Sequence, residues 1–134
     1  MKKLKNYSAI TMIIIIIVLL CACANAFEYD QDEVINNAKD FIDVVNAKDY
    51  TAAADMLPEN LRSQVSAEKL QDAWDPLLSQ AGAFMEYENV TTTGVTQNDV
   101  KYIIAVVPCK YENNTLTFTI TYTADLKIAA LEMK

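Results

Sequence analysis

There is no histidine among the 134 residues of the chain. That absence removes Ser-His-Asp triads, Cys-His dyads, Asp-His pairs and His-ligated metals from consideration. Basic residues are scarce as well, 11 against 18 acidic. Three of them, Lys2, Lys3 and Lys5, sit at the extreme N-terminus, and every acidic residue lies beyond Ala26. The remainder therefore carries eight basic against 18 acidic residues, a net charge of −10. Such a surface repels phosphate backbones and anionic lipids, which argues against nucleic-acid binding and against a polybasic membrane contact. Cysteine is confined to Cys21, Cys23 and Cys109. A spanning helix needs about 20 apolar residues, and the apolar run over residues 10–20 falls short of that. No repeat, low-complexity linker or second domain is visible.

What that apolar run fits is the core of an export leader, with Lys2, Lys3 and Lys5 as its positive n-region. Two cuts compete. Leu20-Cys21-Ala22-Cys23 has the order of a bacterial lipobox (aliphatic, tolerant, small, Cys), and Ala24-Asn25-Ala26 fits a small-x-small peptidase site ahead of Phe27. The lipobox is favoured, because the cysteine follows the apolar core almost at once and acidic residues begin soon after it. Lipid attachment is then expected at Cys23, where two acyl chains would suffice for stable anchoring. Cys109 would be the one thiol left, excluding an intramolecular disulfide. The expected organisation is a lipoprotein-type signal peptide over residues 1–22, a tether over 23–30 and a single α+β domain over 31–134. The expected location is extracytoplasmic and lipid-anchored, or secreted if the cut falls behind Ala26.

From Asp30 the apolar residues take helical spacing. Val34, Ala38, Phe41 and Val45 recur at i, i+4, i+7 and i+11, with Ile35 and Ile42 widening the stripe. Asp30 or Asp32 can cap the first turn. "DYTAAADML" predicts a short second helix stopped by Pro58. A third begins at the capping residue Ser66 and places Leu70, Trp74, Leu77 and Ala81 on one stripe. Pro76 predicts a kink, or a fresh start capped by Asp75. Gly82 ends the run as a left-handed cap.

Beyond Gly82 the period becomes two. Leu116, Phe118, Ile120 and Tyr122 alternate with threonines in "NTLTFTITYTAD", which predicts a strand with one buried and one wet face. "VKYIIAVVPCKYE" is a more apolar strand, with Pro108 marking an edge position or a bulge. "FMEYENVTTTGV" precedes it and "KIAALEMK" follows the threonine strand. The turns fall at Gln97-Asn98-Asp99, Asn113-Asn114 and Ala124-Asp125. The expected fold is α+β, with N-terminal helices packed on one face of a four-stranded antiparallel sheet.

"AKDFIDVVNAKDYTAAADML", "LQDAWDPLLSQAGAFMEY" and "VVPCKYENNTLTFTITYTADLKIAALEM" together resemble domain-of-unknown-function family 3887. The resemblance spreads over apolar, Asp-Tyr, Trp and Gly-Ala-Phe positions and contains no catalytic signature. It implies a curved, cone-like fold similar to the nuclear transport factor 2 and ketosteroid isomerase superfamily, and secreted or lipid-anchored settings. It also implies a turn glycine where this chain has Asn113-Asn114, whose residues tolerate the left-handed conformation.

Little chemistry survives this inventory. Cys109 is a thiol without a base and reads as a small core residue. "DQDE" at 30–33 starts like a calcium loop but lacks the central glycine and terminal glutamate, so it reads as a capped helix start. No cofactor or metal site is expected. Trp74, with Tyr50, Tyr87, Tyr102 and Tyr122, would line the mouth of a conical sheet as a ligand pocket, or else fill its core. The resulting expectation is a non-catalytic domain that binds a small hydrophobic ligand or a protein partner, including a second copy of itself. An enzyme using a buried carboxylate is one alternative, and an accessory module for a separately encoded α/β-hydrolase, a neighbour that the resemblance implies in some settings, is the other. An inward-facing, desolvated Asp or Glu would favour the enzyme.

Overall fold

The computed structural model describes residues 27–134, so the expected leader, Cys21, Cys23 and both candidate cleavage sites lie outside the described residues. The element order is α1 (Gln31–Asn46), α2 (Tyr50–Asp55), α3 (Glu59–Arg62) and α4 (Ala67–Ala81), then β1 (Phe84–Tyr87), β2 (Thr91–Gln97), β3 (Val100–Tyr111), β4 (Thr115–Thr123) and β5 (Ile128–Met133). Helices are followed by a curved, unclosed antiparallel sheet, which is the expected α+β class. None of the helices among the described residues is long and apolar enough to cross a membrane.

The helices form as their capping residues direct. Asp30, Asp49 and Ser66 each accept a backbone N–H from the first turn that follows, at 3.2, 3.1 and 3.3 Å. In α1 the stripe Val34, Ala38, Phe41, Ile42 and Val45 is wholly buried. In α4 the buried stripe is Leu70, Trp74, Leu78 and Ala81, whereas Leu77 is exposed. At 100° per residue Leu78 lies closer to the Trp74 meridian than Leu77 does, which corrects the expected stripe. Pro76 does not restart α4, since the helix runs through from Ala67 to Ala81. The carbonyl it leaves without a donor belongs to Asp72, and both residues are exposed, so water can pair with it.

The sheet has five strands, not four. "FMEYENVTTTGV" breaks into β1 and β2, which lie end to end along the same edge of β3. The break faces Pro108, whose carbonyl accepts the Glu88 N–H at 2.8 Å but which has no N–H to return. An unbroken edge strand would lose a ladder bond there. On the other side of β3, Ile103 pairs with Tyr122, Val107 with Phe118 and Cys109 with Leu116, and β5 closes the order beyond β4. Odd-numbered β3 residues and even-numbered β4 residues therefore share the helix-facing side. Burial alternates without a break from Ile103 to Cys109 and from Leu116 to Tyr122.

Two turns carry the expected chemistry differently. Asn98 and Asp99 both have positive φ, 51° and 64°, as a two-residue hairpin with native twist requires. Asn113 and Asn114 do not adopt positive φ. Asn113 instead serves the end of α4. Its side-chain amide donates to the Gln80 carbonyl at 3.0 Å and its backbone N–H to that of Ala81 at 2.9 Å. Gly82, at φ 85° and ψ −155°, is not in the left-handed helical region but in one that only glycine enters freely. A Cβ there would meet the Glu112 Cβ at 3.1 Å.

Candidate functional site

The space between helices and sheet is held by aromatic rings. Trp74 reaches from α4 to meet Phe41 of α1 and Phe118 of β4 edge-on, with centroids 6.2 and 5.8 Å apart. Tyrosine hydroxyls along the rim are tied to the helices. Tyr50 donates to Asp75 Oδ1 at 3.0 Å, and the same oxygen lies 3.4 Å from Lys48 Nζ. Burial, then the hydrogen bond and charge of Asp75, push the Tyr50 hydroxyl up to about 12. Tyr87 donates to the Lys39 carbonyl at 3.1 Å and also to the Asp43 carboxylate. Burial and that carboxylate raise its pKa strongly, so it remains a proton-bearing donor. Tyr122 lies opposite Ile103 on β3, its hydroxyl buried without a hydrogen-bond partner.

Of the five aromatic residues singled out in the sequence, Tyr50, Trp74, Tyr87 and Tyr122 are on the helix-facing side, but their polar atoms point to separate partners. Tyr102 stands apart. It pairs with Thr123 and has the opposite parity to Ile103, so it lies on the outer face of the sheet. The rim also holds Tyr111, which the sequence reading passed over. Tyr111 donates to Asn46 Oδ1 at 2.5 Å, and Phe84 packs between it and Tyr87, with centroids 5.6 and 4.8 Å away. Its odd number in β3, shared with Cys109, is the signal that would have placed it inward. Cys109 is fully buried, and burial, ahead of the charges of Asp43 and Glu88, pushes its thiol up to about 12. Among the described residues no Asp, Glu, Lys or Arg is buried.

The concave feature lies at the other end of the sheet. Of the stretch expected to be a tether, residues 27–30 pack as a strap across the helix-facing side of the β2–β3 hairpin. Gly94 makes room for it. A Cβ at that position would come within 3.0 Å of the Tyr29 ring and 3.1 Å of the Phe27 ring. Tyr29 donates its hydroxyl proton to Thr92 Oγ1 at 3.0 Å, and Lys101 Nζ sits 5.3 Å from the centre of the Phe27 ring. Between strap, α1 and sheet is a pocket of about 240 Å³. Ile103, Ala124 and Leu126 supply apolar surface to it, Phe27 and Tyr29 the rings, and Glu28, Asp30, Glu33 and Lys101 the charges. Asp30 is partly committed as the cap of α1. None of the five aromatics singled out from the sequence lines this pocket.

Helices on one face of a curved antiparallel sheet, with a pocket under the strap over residues 27–30, define a small α+β domain. The family model described as "Protein of unknown function (DUF3887)" matches residues 38–131, and the chain belongs to that family. The match starts beyond the strap. A similar solved structure is the NMR structure of a protein from Ruminococcus gnavus ATCC 29149, 22% identical in sequence with a TM-score of 0.71. The likeness covers 82% of this chain and 97% of that one, and it shows a shared fold. No curated protein matches the chain.

Proposed function

We propose that the chain is a non-catalytic binding domain, held outside the cytoplasm on a membrane by acylated Cys23, and that the pocket under residues 27–30 takes a small amphiphilic ligand. The pocket carries this reading: Phe27, Tyr29, Ile103, Ala124 and Leu126 give it an apolar side, while Glu28, Asp30, Glu33 and Lys101 make the larger part of its surface polar, a lining that suits an amphiphile with a polar group. Its volume of about 240 Å³ lies below the ~300–1,000 Å³ of ordinary sites and restricts the ligand to a small one. The absence of histidine and of any buried carboxylate among the described residues speaks for binding rather than turnover.

The test is paired. Residues 27–134 are screened by thermal shift against small amphiphiles, and in parallel against ester, peptide and glycoside substrates. A saturable stabiliser with no turnover above background is the expected result. Reproducible turnover abolished by changing one Asp or Glu would replace this reading with that of a carboxylate enzyme.

A further inference from the structure

We infer that the strap over residues 27–30 sets which end of the domain faces the membrane, and that this is the end bearing the pocket. The inference rests on the reading of Cys23 as the acylated residue. Cys23 precedes Phe27 by four residues, which span at most ~14 Å when fully extended. Phe27 is itself fixed to the sheet, its ring against Gly94 and beneath Lys101 Nζ, while Tyr29 is bonded to Thr92. The free length of the anchor therefore stops at the strap instead of running on to the start of α1. Gly94 pairs with Ile103 and Lys101 with Thr96, so the fixed point lies at the Val100 end of β3. The same end carries the turn at Ala124 and Leu126, both of which line the pocket.

The turn between β3 and β4 lies at the far end of the same strand. Twelve residues of β3 separate the two ends, about 36 Å at the usual rise of a strand. Lying flat would bring a domain of net charge −10 against anionic headgroups along its whole length, which repulsion opposes. At the pocket end the short anchor outweighs the repulsion of Glu28, Asp30 and Glu33, and along the rest of the domain nothing opposes repulsion, so the pocket end stays near the lipid and the Asn114 turn away from it.

The experiment uses the full chain, processed in cells and reconstituted into vesicles of phosphatidylglycerol and phosphatidylcholine that contain a headgroup-nitroxide lipid. A fluorophore is placed on Asp125→Cys or on Asn114→Cys, both exposed positions, while the native Cys109 is buried and stays unlabelled. Quenching is expected to be at least threefold stronger at position 125 than at 114. Adding Gly94→Val, which displaces the strap and lengthens the tether, should shrink that ratio towards one. Equal quenching in the otherwise unaltered chain, or stronger quenching at 114, overturns the orientation while leaving the anchor standing. Failure to float with vesicles, together with a mature N-terminus at Phe27, overturns the anchor and the orientation with it.

Discussion

Trp74 of α4 meets Phe118 of β4 at 89°, ring edge to ring face, with centroids 5.8 Å apart, and both side chains are buried. This contact joins the helical layer to the sheet. Phe41 of α1 meets Trp74 at 84°, so one indole touches both long helices and the sheet. Edge-to-face geometry adds to the area the rings bury.

Trp74→Ala should therefore destabilise the domain by about 3–5 kcal/mol, as large-to-small aromatic changes in cores do. Urea unfolding of residues 27–134 measures it. A change within about 0.5 kcal/mol would mean that the layers are held elsewhere.

α1, α2, α4 and the threonine strand were legible because their periods are clean, apart from Leu77 standing for Leu78 on the α4 stripe, whereas the four-residue α3 is too short to show a period. β3 was not legible in that way. Ile103 beside Ile104 and Val106 beside Val107 put apolar residues on both faces, so hydrophobicity alone does not send Tyr102 outward and Tyr111 inward, and only parity with the core residue Cys109 carries that signal. Pairing register decides it, through Ile103 opposite Tyr122. The strap was invisible for a different reason. Phe27 and Tyr29 stand just beyond the expected leader and have no periodicity, and what fixes them is a glycine more than sixty residues away.

Gly94→Val tests that glycine. The variant suits a strand in propensity, but its methyls take the volume of the Tyr29 and Phe27 rings. Chymotrypsin should cut after Phe27 and Tyr29 much faster in the variant than in the unaltered domain, while the circular dichroism of the sheet is retained. Equal cleavage rates would show that the strap does not depend on the space Gly94 leaves.

Alkaline pH should weaken the fold. The Tyr50 hydroxyl and the Cys109 thiol are each pushed up to about 12, in both cases mainly by burial. Tyr87, Tyr111 and Tyr122 move in the same direction for the same leading cause. An acid whose pKa is raised by folding keeps its proton longer in the native state than in the unfolded chain. Stability is then fully present below the unfolded values, about 9 for the thiol and 10 for the phenols, and falls as pH rises through them towards 12. Urea midpoints from pH 7 to pH 11 should hold steady up to about pH 9 and then drop. A midpoint that rises over the last two units contradicts the sign.

Anchoring is separable from folding. On the proposed anchoring, Cys23→Ser should leave the protein off the membrane or with residues 1–22 uncut, without altering the thermal stability of residues 27–134, which do not include Cys23. Fractionation and mass spectrometry of the N-terminus report it. Retention of the processed variant on the membrane would assign the anchor to another residue.

The role of the pocket is measured most directly by titrating the best thermal-shift stabiliser into isotope-labelled residues 27–134 and following the backbone amides by NMR. Saturable shifts should concentrate at Glu28, Tyr29, Lys101, Ile103 and Leu126, and Gly94→Val should weaken the binding at least tenfold. Saturable shifts centred instead on Asp43 and Asp75 along the helices, or on the outer face around Tyr102, would contradict the strap pocket as the binding site.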